Sequence, residues 1–335
     1  MASVRTRLVN GVLRVAVKRR LARQPMDVAR VEETRRRLAR IARRNAVPLG
    51  VTVTPGEIGG VPGEWVNGPG LAVPGKTLLY LHGGAYAVGT AEVYRILTWR
   101  LAEAACCRVF VLEYRLAPEH PYPAASDDAL AAYRALIDAG HRGEDLAVAG
   151  DSAGGNLVFV LLQRIRAEGL PMPASAVGLS PWTDLTGSGA SLILNARRDP
   201  MLPAHRLREA AELFAPDADH RDPLLSPVFA DFRSFPPIAL HVGSTEILLD
   251  DSTRIADKAR RAGVSVTLRV WQAQPHVFPI LAQFVPEARA AIAEIGRFLL
   301  AHWLLAAERV DGERTSAAAP DTAPASEAED VRRRA

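Results

Sequence analysis

After Pro48 the chain alternates between two patterns, and this rhythm limits the folds open to it. Short runs rich in β-branched and aliphatic residues occur at Val51 to Thr54, Glu64 to Val66, Thr77 to Leu81, Arg108 to Leu112, Leu146 to Ala149, Ala174 to Leu179, Ile238 to Val242 and Val264 to Val270. Between the later runs lie helical stretches at about 91–105, 124–139, 153–168 and 251–262, and another at 286–305 follows the last run. Several of the runs are apolar throughout, as strands covered on both faces must be. Strands alternating with helices imply an α/β architecture with a mostly parallel central sheet flanked by helices.

Two segments fall outside this alternation. From Val4 to about Arg44, apolar residues recur at helical spacing (Leu8, Val12, Val15, then Val28, Val31, Leu38, Ile41), and Gln24-Pro25 separates two helices. The second, residues 183–226, holds a helical piece around His205 to Phe214 between Pro-rich loops and should lie over whatever the sheet presents. The expected division is an N-terminal helical cap segment at 1–47, a catalytic domain at 48–305 with 183–226 as a cap insertion, and a tail at 306–335. That tail is rich in Ala, Pro, Thr, Glu and Arg, so it is expected to stay disordered.

Within the alternation one junction carries chemistry. Leu146-Ala-Val-Ala runs into Gly150-Asp-Ser152-Ala-Gly154-Gly155, and a helical stretch follows. G-x-S-x-G between a strand and a helix is the setting of a nucleophile elbow: glycines permit a tight turn and the serine is lifted onto its tip. The start of a helix also supplies backbone N–H groups near developing negative charge. A second glycine turn, Tyr80-Leu-His82-Gly83-Gly84-Ala85-Tyr86, directly follows the run Thr77 to Leu81. The N–H groups of Gly83, Gly84 and Ala153 can converge on one oxygen, as an oxyanion hole requires.

A serine of ordinary pKa needs a base, and imidazole titrates near neutrality. Of eight histidines, His276 lies in a loop after the last strand and before the final helix, where this arrangement places its base. The acid should follow the preceding strand, where Glu246, Asp250 and Asp251 are all available. Glu246 comes first and can orient the imidazole. Asp250 and Asp251 open a helix and can equally be read as its N-caps.

These residues resemble the bacterial hormone-sensitive-lipase-like esterase family, a branch of the α/β-hydrolase fold. The matching stretches are His82-Gly-Gly-Ala-Tyr86, Tyr114-Arg-Leu-Ala-Pro-Glu-His-Pro-Tyr-Pro-Ala-Ala125, Gly150-Asp-Ser-Ala-Gly-Gly155, Asp222-Pro-Leu-Leu-Ser-Pro227 and the segments around Glu246 and His276. The resemblance implies a cap built from the N-terminal helices and the later insertion, an acyl pocket for short chains, and an oxyanion hole of Gly83, Gly84 and Ala153. Many members have Asp in an Asp-Pro-Leu motif where this chain has Thr245-Glu246-Ile247-Leu248, so the acid is a Glu by alignment. The expected activity is a serine carboxylesterase acting on short-chain, acetyl-type esters, with neither metal nor cofactor. The alternatives are lactone or amide hydrolysis, or a non-catalytic ligand-binding module such as the related plant hormone receptors, which lack the catalytic His.

Charge distribution bears on partners. Residues 1–45 hold fourteen Lys or Arg against three acids in a chain whose net charge is +4, so the remainder is acidic. That concentration argues against a general nucleic-acid surface. Arg35, Arg36 and Arg37 could touch an anionic membrane, but a solvated helix face is the plainer reading. Adjacent Cys106 and Cys107 point to opposite faces of a strand and suit no structural disulfide. Arg14 and Lys18 to Arg20 interrupt the first apolar run, no export signal is read, and no apolar stretch suggests a membrane span. A cytoplasmic protein is therefore expected, with the last strand as an edge on which a homodimer could form.

Overall fold

The computed structural model describes residues 2–43, 47–70 and 73–317. All eight expected strands are present: β1 (Thr52–Ile58), β2 (Val61–Asn67), β3 (Thr77–Leu81), β4 (Arg108–Leu112), β5 (Leu146–Asp151), β6 (Ser175–Leu179), β7 (Ile238–Gly243) and β8 (Val266–Trp271). They form one sheet in the order β1-β2-β4-β3-β5-β6-β7-β8. The β1-β2 hairpin and the β2-β4 pair are antiparallel, and every pair from β4 onward is parallel. In β3, β5, β6 and β7 every residue is buried, which is why these strands read as unbroken apolar runs. β8 is an edge, and its burial pattern accordingly mixes half-buried and exposed residues.

The N-terminal segment begins as α1 (Val4–Leu13), passes through a π-helical turn at Arg14–Lys18 and continues as α2 (Arg19–Arg23), before α3 (Val28–Ala42). Helices α4 (Ala91–Ala104), α5 (Ala124–Asp138) and α6 (Ser152–Ala167) alternate with the strands, the insertion carries α7 (Ser191–Leu194) and α8 (His205–Phe214), and α9 (Leu249–Arg261) and α10 (Pro286–Ala317) complete the chain.

The N-terminal helices and the insertion are joined by hydrogen bonds. Lys18 Nζ donates to the carbonyls of Ala196 and Asp199, both at 2.6 Å, and Arg206 donates to that of Leu21 at 2.7 Å. Arg35 ties α3 to the sheet's loops, donating to the carbonyls of Ala87 and Ala117, both at 2.8 Å, and pairing with Glu119. Cations that satisfy carbonyl oxygens in this way fix the cap's position rather than merely decorate it.

Two expectations need correction. The helix does not end at 306: α10 runs on to Ala317, its added turns continuing a helix already nucleated by packing. Residues 318–335 lie outside the described residues. The segment Pro286–Glu308 is also long and apolar enough, by length and composition, to cross a membrane. One side of it packs inward: Ala288, Ala291, Ile292, Ile295, Leu299 and Trp303 are buried in the core on the sheet's second face, while Leu304 and Leu305 stay exposed.

That packing depends on one close approach. A Cβ on Gly296 would lie 2.3 Å from the carbonyl oxygen of Ala104 at the end of α4, and a backbone oxygen cannot swing aside. Alanine improves helix propensity by about 1 kcal/mol, but overpacking costs about 1–3 kcal/mol and must also push α10 away from α4. Gly296→Ala is therefore expected to lower the urea midpoint relative to wild type, whereas propensity alone would raise it.

Candidate active site

Where β5 ends, Ser152 adopts φ 52°, a left-handed conformation that costs a non-glycine residue energy. The surroundings hold it there. Added Cβ atoms at Gly150 and Gly154 would meet carbonyl oxygens at 2.4 Å (Gly154) and 2.0 Å (Leu81) respectively, so only glycine lets the turn pack between β3 and β5. The N–H of Trp182 donates to the Ser152 carbonyl at 2.9 Å and fixes the turn from the far side.

At the tip, Ser152 Oγ lies 2.9 Å from His276 Nε2, and His276 Nδ1 lies 2.8 Å from Glu246 Oε2. A carboxylate can only accept, so Nδ1 carries the proton and Nε2 is left to accept from the serine. Glu246 is fully buried, and its other oxygen accepts from the Ser180 hydroxyl at 2.8 Å and from the N–H of Gly243. His276 is itself 5% exposed. Burial depresses its pKa, but the hydrogen bond and charge of Glu246 outweigh this, and the net direction is upward.

The competing carboxylates are committed elsewhere. Asp250 accepts from the N–H of Ser191 at 2.8 Å, and Asp251 accepts from those of Thr183 and Asp184 at 2.6 and 2.9 Å. Neither caps its own helix as the sequence suggested: α9 has Leu248 at its N-cap and no side-chain cap. Both instead anchor the start of the insertion.

The oxyanion loop departs from expectation. The N–H of Gly83 donates to Asp151 Oδ1 at 2.9 Å, so it is not available to a substrate oxygen. Asp151 is buried and also accepts from the hydroxyls of Tyr80 and Tyr94, both at 2.8 Å. Burial pushes its pKa up to about 6 in spite of these donors. Beyond Gly83 the chain turns through three positive φ values, 119° at Gly84, 56° at Ala85 and 58° at Tyr86. Successive N–H groups in such a turn form a concavity for an anion. Gly84 and Ala85 are the next residues of this loop, and the Ala153 N–H belongs to the first turn of α6, where backbone donors have no acceptor within the helix.

His82 braces this loop: its Nδ1 donates to the Gly83 carbonyl at 2.8 Å, its ring stacks on Tyr114 at 4.4 Å, and burial holds its pKa down to about 4. From the cap, Phe214 stacks on Tyr86 with ring centroids 3.8 Å apart, and the Tyr86 hydroxyl donates to Asn156 at 2.8 Å.

Several supporting residues carry no motif. Ser180 at the end of β6 accepts from the Val277 N–H at 3.1 Å while donating to Glu246, so one hydroxyl ties the acid to the loop of His276. Asn195 donates to the Glu246 carbonyl at 2.8 Å, and Asp199 accepts from the Ile247 N–H at 3.0 Å. Only the position of Ser180 immediately after a parallel strand could have flagged it. Among the described residues no group of His, Cys, Asp or Glu is placed to hold a metal ion.

A serine on a strand-to-helix turn, aligned with a buried His-carboxylate pair beneath a cap, defines the hydrolase class built on this sheet. The family model for the alpha/beta hydrolase fold matches residues 78–280. An acetyl-hydrolase of Streptomyces hygroscopicus is 42% identical over 253 residues, 76% of this chain and 83% of the relative. An esterase of Acinetobacter venetianus is 35% identical over 249 residues, 74% of this chain and 82% of the relative. The crystal structure of an esterase from the bacterial hormone-sensitive lipase family superposes with a TM-score of 0.84 at 37% identity, covering 90% of this chain and 99% of that one. The chain belongs to the α/β hydrolases, in their bacterial hormone-sensitive-lipase branch, and is a carboxylic ester hydrolase.

The raised pKa of His276 fixes the sign of the pH response. The base must be neutral, so activity is lost as pH falls through the pKa of His276, at a pH above that of an ordinary histidine, about 6.5. Glu246→Gln removes the strongest influences that raise it and leaves burial, which lowers it, opposed only by the weaker pull of Asp199 and Asp151. The acid limb of kcat/KM is expected to move to lower pH, with kcat reduced by roughly three to four orders of magnitude.

Proposed function

We propose that the chain is a serine carboxylesterase for small esters with short, acetyl-type acyl groups, and that Ser152, His276 and Glu246 carry the reaction. The observation that supports this reading is the hydrogen-bonded line from Ser152 Oγ through both His276 nitrogens to Glu246 at the nucleophile turn. In the first half-reaction Ser152 Oγ attacks the acyl carbon while His276 Nε2 takes the hydroxyl proton. Charge collects on the former carbonyl oxygen, within reach of the N–H groups of Gly84, Ala85 and Ala153. Collapse breaks the bond to the alkoxy oxygen, which leaves as the alcohol with the proton from His276. Water then attacks the acyl-enzyme and gives a proton to His276; the bond from the acyl carbon to Ser152 Oγ breaks, Oγ takes that proton back and the acid is released, with Glu246 stabilising the imidazolium at each stage.

The acyl preference draws on the names of the relatives, and the occupied cap supports it: Phe214 and Tyr86 already fill the space above the oxyanion loop with stacked rings. Nitrophenyl esters of increasing acyl length test both the preference and the triad. Wild type is expected to peak at the short chains, and Ser152→Ala to fall by about six orders of magnitude in kcat, toward the rate left by oxyanion contacts alone. Asp250→Asn should keep its rate to within about threefold, since its carboxylate serves Ser191. A wild type as inert as Ser152→Ala on every ester would return the ligand-binding reading to first place.

A further inference from the structure

The sequence places the apolar positions of the first helix at a spacing suited to burial, yet the structure turns them outward. Val4, Leu8, Val12 and Val15 keep 67%, 67%, 65% and 59% of their surface exposed. At 100° per residue they occupy one side of the helix together with exposed Gly11. Exposed Arg5 borders this stripe on one flank, and exposed Arg7 and Arg14 border it on the other.

The opposite side of the helix is mixed and firmly attached: Val9 packs against the core on the sheet's second face, Leu13 is half-buried, and polar side chains beside them are tied down by hydrogen bonds. Ser3 and Thr6 donate to the Glu287 carboxylate, Asn10 donates to the Ala273 carbonyl at 2.8 Å, and Lys18 reaches two carbonyls of the insertion through the π-helical turn. The helix is therefore docked through Val9 and its polar anchors, and four further branched apolar side chains are left facing solvent. Scattered exposed apolar residues need no explanation, but a contiguous stripe rimmed by cations does.

We propose that this helix is an interfacial docking surface for an anionic phospholipid bilayer, with the stripe entering the headgroup boundary and the arginines meeting lipid phosphates. Charge selects this occupant. Residues 1–26 carry seven basic side chains and no acidic one, and each cation near an anionic leaflet adds to binding. A second copy meeting the stripe about a two-fold axis would set these arginines against their own counterparts, which is unfavourable. The helix is also tied to the loop of His276, because Gln274, two residues before it, donates to Thr6 on the helix's inward side.

Sedimentation of the full chain with unilamellar vesicles tests this without turnover, so the result does not depend on the esterase reading. Wild type is expected to bind vesicles of phosphatidylcholine with added phosphatidylglycerol at least about tenfold more tightly than phosphatidylcholine alone, and to be released by high salt. Leu8→Glu/Val12→Glu should weaken binding by at least about tenfold with an unchanged melting temperature, since both side chains already face solvent. Arg5→Ser/Arg7→Ser provides a second variant in which the apolar stripe is intact, and it should remove the preference for anionic vesicles. Equal binding to both vesicle types, no binding to either, or a double glutamate variant that binds like wild type would overturn the proposal. So would a concentration-dependent dimer abolished by the glutamates, which would make the stripe a contact between copies.

Discussion

The carbonyl oxygens of Leu81 and His82 lie so near Gly154 that no side chain fits between them: a Cβ there would stand 2.0 and 2.4 Å away. This contact joins the end of β3 to the first turn of α6, and the site follows from it. It presses the nucleophile's turn against the glycine-rich loop that leaves β3. It also leaves Ser152 in a left-handed conformation that isolated chains avoid at a cost of roughly 1–3 kcal/mol. The Trp182 N–H on the Ser152 carbonyl and the Tyr80, Tyr94 and Gly83 donors on Asp151 help to offset that cost.

The same logic explains why the acid is buried so completely. A buried polar group must find partners, and Glu246 has the Ser180 hydroxyl, the Gly243 N–H and the His276 ring around its two oxygens. Asp151 has three donors as well but no cationic or imidazole partner in direct contact, and its pKa is displaced upward to about 6. Two buried acids near one histidine therefore have separate tasks: Glu246 bonds the ring, whereas Asp151 holds the oxyanion loop.

How far the sequence could be read follows from where its signals come from. The eight strands were legible because burial on both faces leaves apolar runs, and Ser152 and His276 because chain order and a glycine pattern locate them. The exchange of β3 and β4 in the sheet left no local trace. Glu246 could not be separated from Asp250 and Asp251 by spacing, since the difference lies in the partners: Ser191, Thr183 and Asp184 on a segment some sixty residues away take up the other two. The partner of the Gly83 N–H was illegible for a related reason. Glycine at a turn shows that the backbone comes close to something, not which N–H points where, and only the Asp151 carboxylate decides that the first donor is turned inward.

The first helix shows the limit of periodicity. Its spacing was read correctly as helical, but an apolar face signals burial only if the protein supplies a surface to receive it. Here Glu287, Ala273 and the Ala196-to-Asp199 turn offer carboxylate and carbonyl oxygens, so the helix turns Ser3, Thr6, Asn10 and Lys18 toward them. The π-helical turn at Arg14–Lys18 lies where the last of these contacts is made, and such widened turns recur at functional positions. Polar anchors thus decide the orientation of this helix, and its hydrophobic stripe is left to the solvent side by that choice.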